Sequence, residues 1–97
     1  MNFELIFSKK FEEEFRKLDN SVRQEAWKKL QRLKENPQIG KPLKYLNLWE
    51  LHVRVFRIFY IIDSNKIKIL VLSVRHKDEC DKYIRGLSQE DIRHLLD

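Results

Sequence analysis

Ninety-seven residues, 20 of them Lys or Arg against 15 Asp or Glu, give one small basic domain of net charge +5 with room for only a thin core. The excess of cations suits RNA, an acidic protein partner or solubility alone, and the 15 acids argue against a uniformly DNA-coating protein. Two glycines exclude phosphate loops of the GxxxxGK and GxGxxG types, and with them nucleotide cofactors; the single cysteine, Cys80, excludes an internal disulfide. Met1-Asn2-Phe3-Glu4 has no basic leader, and the apolar run Ile58–Ile62 is far below the roughly 20 residues of a membrane span. A cytoplasmic protein with no membrane partner and no cofactor is expected.

In chain order, residues 3–7 read as a short strand, and Ser8 is placed to cap a helix in which Phe11, Phe15 and Leu18 recur at helical spacing. Asp19-Asn20 breaks that helix. Ser21 with Gln24 has the pattern of a capping box opening a second helix, whose apolar stripe is Val22, Ala26, Leu30 and Leu33 with Trp27 at its edge. Asn36-Pro37 stops it, so the two helices form a hairpin. A loop over 39–47 follows, then strands over 48–53, 56–62 and 67–75, with Asp63-Ser64-Asn65-Lys66 as the last turn. Arg54-Val55 is a turn without the usual Gly, Asn or Asp. A helical turn through Tyr83 ends at Gly86, and Ser88 with Asp91 caps a short C-terminal helix carrying Ile92, Leu95 and Leu96. The expected fold is α+β, a single domain over 1–97: a helical hairpin packed on a twisted, mainly antiparallel four-stranded sheet. Residues 56–62 and 67–74 are apolar at both parities, so both sheet faces want cover. Two helices cover one, which leaves the other as a groove for a ligand or partner.

Cations interrupt these strands where a simple core would not place them. Arg57 abuts Ile58-Phe59-Tyr60-Ile61-Ile62, and Arg75-His76-Lys77 end the last strand. An unpaired buried guanidinium costs several kcal/mol, so Arg57 must meet a groove, a partner or an anion; a salt bridge to Glu50 is the plainer alternative. Tyr83 follows closely enough to return a phenol to the same place. The set describes a cationic site with acid/base capacity on a sheet face, suited to a phosphodiester. His52 and His76 are candidates for the acid or base because histidine is the residue type that titrates near neutrality. Arg54, Arg75, Lys41 and Lys44 are candidate RNA contacts, and Lys28, Lys29, Arg32 and Lys34 either grip RNA or form a solvated helix face. Cys80 has no base and orienting group to make it a nucleophile. The three histidines lack ligand spacing with one another or with Cys80, so no metal site is expected.

These residues carry a resemblance. The order of elements, with LWELHVRVFRIFYIID followed by ILVLSVRHKDECDKY, resembles the RelE/ParE superfamily of type II toxin–antitoxin toxins over nearly the whole chain, closest to the RelE branch. Trp49, Glu50, Leu51, Val53, Arg57 and Tyr60 fit the family pattern. Arg54-Val55 replace its Gly-Asp turn, and Phe56 replaces a tyrosine. The resemblance implies a ribosome-dependent endoribonuclease that cleaves mRNA in the A site by attack of the 2′-hydroxyl on the adjacent phosphate, without a metal. It gives catalytic roles to Arg57, Lys77 and Tyr83, and it implies neutralisation by a RelB-like antitoxin of acidic, amphipathic helices. Glu50 and His52 stand where one RelE subgroup carries a lysine pair, which leaves the general base open. ParE-like chains share the fold, inhibit DNA gyrase and lack the cation–tyrosine set, so Lys77 and Tyr83 favour the nuclease. A non-catalytic RNA- or protein-binding module is the third reading; stacking aromatics and glycines would mark it, and this sheet carries cations instead.

Overall fold

The computed structural model describes residues 2–96, with side chains through residue 93. Its elements run β1 (Glu4–Phe7), α1 (Lys9–Arg16), α2 (Asn20–Leu33), a 3-10 turn (Pro37–Ile39), β2 (Lys41–Pro42), β3 (Trp49–Val53), β4 (Phe56–Asp63), β5 (Lys68–His76), a second 3-10 turn (Lys77–Glu79), α3 (Cys80–Gly86) and α4 (Gln89–Leu96). One sheet holds all the strands in the order β1-β5-β4-β3-β2, with β1 parallel to β5 and the other pairs antiparallel. The strand absent from the sequence reading is β2. Two residues, one a proline, carry no alternation to detect, yet they pair with Trp49 and Glu50.

Ser8 caps α1 as expected: its Oγ accepts from the Phe11 amide at 3.0 Å and donates to Leu72 O at 2.6 Å, so one hydroxyl ends β1, starts α1 and ties both to β5. The capping box at Ser21 is not made. The cap of α2 is Asp19, whose side chain makes no capping bond, while Ser21 Oγ accepts from Arg54 instead. Ser88 and Asp91 do form the reciprocal pair that opens α4, Ser88 N donating to Asp91 Oδ2 at 2.9 Å and Asp91 N to Ser88 Oγ at 3.1 Å. The Arg54-Val55 hairpin turns without glycine by placing Arg54 at a φ of 54°, a left-handed conformation that costs a non-glycine residue about 1 kcal/mol.

The apolar stripe of α2 packs with Phe11 onto Leu51, Val53, Ile58, Tyr60, Ile69 and Val71. On the other face Leu48, Phe59, Ile61, Leu70 and Leu72 lie under Cys80, Leu87 and Ile92. This corrects the expectation of a second face left open for a ligand or partner: the chain covers most of it with α3, α4 and the loop before β3. Leu95 and Leu96, expected to extend that stripe, have side chains outside the described residues. Among the described residues the exposed large apolar side chains are Trp27, Ile39, Tyr45 and Val55, and no helix is long and apolar enough to cross a membrane.

Candidate functional site

The register of three strands builds the site. His52 of β3 lies opposite Arg57 of β4, and Arg57 lies opposite Arg75 of β5. Neighbouring strands are about 4.8 Å apart, so the three side chains form a row about 10 Å wide on the face opposite α2. A bulge creates the arginine pair. Phe59 faces Ser73 while Tyr60 faces Val71, so Leu72 is an extra residue on β5. Without it, simple alternation from Ile69 and Val71 would send Ser73 and Arg75 to the α2 face.

Two cations directly opposite repel, and each here has a carboxylate on its outer flank. Arg57 Nε is 3.8 Å from Glu50 Oε1, and its Nη1 donates to the carbonyls of Arg54 and Phe56, both at 2.9 Å. Arg75 Nε is 3.0 Å from Glu14 Oε2 and 3.1 Å from Ser73 Oγ. Glu14 also accepts from Ser73 Oγ at 2.6 Å and from the Val74 amide at 3.2 Å, satisfying strand-edge donors that β1 is too short to reach. Both arginines are partly shielded, with 18% and 25% of their side-chain surface exposed. The salt bridge from Arg57 to Glu50 is therefore present, and the arginine still faces solvent.

Tyr83 closes one end of the row. Its ring stacks on Phe59 with centroids 5.0 Å apart, and the Arg75 guanidinium lies 5.0 Å from its centroid. Burial, and then the Glu14 charge, push its phenol up to about 12 against the opposing pull of Arg75 and Ser73, so the hydroxyl stays protonated at neutral pH and can donate. Beyond it a cleft of about 550 Å³ is lined by Lys10, Arg75, Lys82 and Tyr83 together with the acids Glu79 and Asp91. At the other end a cleft of about 440 Å³ is lined by Lys29, Arg32, Lys41, Glu50 and His52. Among the described residues three cations line each cleft, beside two carboxylates in the first and Glu50 in the second, and the arginine row separates them.

Of the residues singled out in the sequence, the row brings together His52, Arg57 and Arg75, with Tyr83 at one end and Lys41 in the cleft at the other. His76 is not among them. Paired with Phe56 one step along the register, it turns to the opposite face, meets the Phe56 ring edge-on at 5.8 Å and caps the following turn by accepting from the Asp78 amide. Arg54 is held against α2 by Glu25 at 3.2 Å. Lys77 is exposed beyond the end of β5, its amide bonded to Val55 O at 2.7 Å, and Lys44 is exposed on the loop before β3. Cys80 is buried and its thiol is pushed up, by burial first and then by the Glu50 charge, which fits a structural side chain. Sequence reasoning missed Glu14. Its signal was position: three residues after Phe11 and one before Phe15, an acid on the buried face of α1.

The family model for the ParE toxin of type II toxin–antitoxin systems (parDE) matches residues 5–79. The chain belongs to this toxin family. It is a type II toxin within the RelE/ParE superfamily, near the RelE branch. The free Escherichia coli toxin RelE, solved as a double arginine-to-alanine variant, is 28% identical with a TM-score of 0.75, over 86% of this chain and 92% of that one. RelE in the intact E. coli RelBE toxin–antitoxin complex is also 28% identical, with a TM-score of 0.70 over 76% and 95%. The RelBE2 complex of Mycobacterium tuberculosis, at 21% identity and a TM-score of 0.68 over 78% and 99%, shares the fold. No curated protein matches.

Proposed function

We propose that this toxin is a ribosome-dependent endoribonuclease that cleaves mRNA in the A site. One observation carries the reading: two cross-strand arginines, Arg57 and Arg75, held side by side at the cost of their repulsion, with an imidazole beside one and a protonated phenol beside the other. A phosphodiester relieves that repulsion, since each planar guanidinium offers paired donors to phosphate oxygens. The charge gathering on phosphorus as the 2′-hydroxyl attacks falls between donors already in place. Tyr83, protonated at neutral pH, has a hydroxyl to offer the same phosphate, and Lys77 adds a cation beyond the end of β5. The Tyr83 ring is already stacked on Phe59 and under Arg75, so a hydrogen bond is its natural role rather than base stacking. The products are a 2′,3′-cyclic phosphate and a 5′-hydroxyl. An acidic, amphipathic-helical antitoxin of the RelB kind neutralises the toxin, in keeping with the RelB complexes in which its relatives were solved.

Inhibition of DNA gyrase is the second reading, favoured by the family model that matches and by the carboxylate already on each arginine. Primer extension on translated mRNA after induction separates them. Cuts at ribosome-bound codons are expected; intact message with failing DNA supercoiling would establish the gyrase reading instead.

A further inference from the structure

Glu50 has a second contact besides Arg57. Its Oε1 lies 2.5 Å from Nε2 of His52. The carboxylate is largely shielded, at 15% exposed, whereas the imidazole is 52% exposed. A carboxylate oxygen accepts and does not donate, so the ring nitrogen facing it holds the proton, and in the neutral ring Nδ1 keeps its lone pair. The backbone is fixed as well, because Lys29 Nζ reaches from α2 to donate to His52 O at 2.8 Å. Charged groups around the imidazole are Lys29 and Arg32 on α2, Lys41 on β2, Arg57 on β4 and Glu50 itself, the one carboxylate among the described residues that line that cleft. A ring with one nitrogen bound inward, standing beside the arginine row, has the arrangement of a base waiting for a hydroxyl.

We propose that Glu50 is a positioning residue that holds His52 in its Nε2-protonated form, and that Nδ1 of His52 is the base that takes the 2′-hydroxyl proton. The inference rests on the nuclease reading and deepens it. As O2′ bonds to phosphorus, its proton passes to Nδ1. The bond from phosphorus to O5′ breaks, and the departing oxygen takes a proton from a water molecule. The hydroxide left behind recovers the proton from the imidazolium, so the enzyme is regenerated with no net uptake.

The test is nitrogen NMR of histidine-labelled full-length toxin, with the His52 signals identified by their loss in His52→Ala, run beside cleavage of ribosome-bound message. In the unaltered chain neutral His52 is expected with its proton on Nε2. Glu50→Ala should lose that preference and slow cleavage about 10–100-fold, the size of loss that follows when a metal-bound histidine is deprived of its orienting partner. Glu50→Gln, whose amide oxygen can accept the same bond, should keep the tautomer and recover most of the rate; a carboxylate that served only to neutralise Arg57 would not be rescued this way. Should Glu50→Ala fail to fold, loss of the tautomer in folded Glu50→Gln would overturn the pairing. A proton on Nδ1 in the unaltered chain, or a tautomer indifferent to Glu50→Ala, overturns it whether or not RNA is cut. Absence of cleavage by the unaltered chain removes the base role while the paired tautomer persists, so failure of the nuclease reading is distinct from failure of the pairing.

Discussion

The two halves of one sheet face differ in what covers them. The half bearing Leu48, Ile61, Leu70 and Leu72 is sealed by α3 and α4; the half bearing His52, Arg57 and Arg75 keeps contact with solvent. Phe59 stands at the border, between Glu50 and Ser73 in the register and beneath Tyr83. The difference shows how a small chain places a site. Apolar surface draws the C-terminal helices down, and they stop where guanidinium groups would have to be desolvated, since burying charges without full pairing costs more than the contacts return. Tyr83 is a residue of the cover that also touches the row.

Breaking the border gives the largest effect. Phe59→Ala removes a fully buried ring on which Tyr83 rests, and about 3–5 kcal/mol of stability should be lost, measured by urea unfolding. Arg57→Ala acts on the charged half alone. Cleavage should fall about 10²–10³-fold while the urea midpoint moves little, and full activity in that variant would remove the phosphate clamp. The smallest effect concerns alkali. The phenols of Tyr60, on the hairpin face, and Tyr83, on the other, are both raised from 10.0 to about 12, each chiefly by burial. The unfolded chain therefore ionises first as pH climbs. Stability due to each phenol is complete below pH 10 and is lost as pH approaches 12. Tyr83→Phe and Tyr60→Phe should each flatten that alkaline loss, and a slope unchanged in both would contradict the burial of these rings.

Much of this was legible in the sequence because the strands are long and the punctuation is strong: β4, β5, the cap at Ser8 and the pair at Ser88 and Asp91 all lie where residue types placed them. Arg57 was legible because a guanidinium beside five apolar residues has few ways to exist. The rest was hidden for identifiable reasons. The Leu72 bulge has no signature of its own, yet it decides which face Arg75 occupies. Glu14 serves Ser73 and Val74 across a separation of 59 and 60 residues, beyond any local pattern. His76 resembled His52 as a candidate until the register put the two on opposite faces. Cover for the second face was missed because α3 and α4 are short, and one amphipathic turn gives little hint of what it will sit on.

The parallel pair of β1 and β5 ties residues 4–7 to residues 68–71, so the sheet cannot close until most of the chain exists. Pairing at that distance is slow to form, because a long loop must be ordered before any contact returns free energy. Glu14 waits just as long for Ser73 and Arg75. A chain still being synthesised therefore holds His52 and Arg57 without Arg75 or Tyr83 to complete the row, and a truncation ending before Lys68 should be harmless to its host.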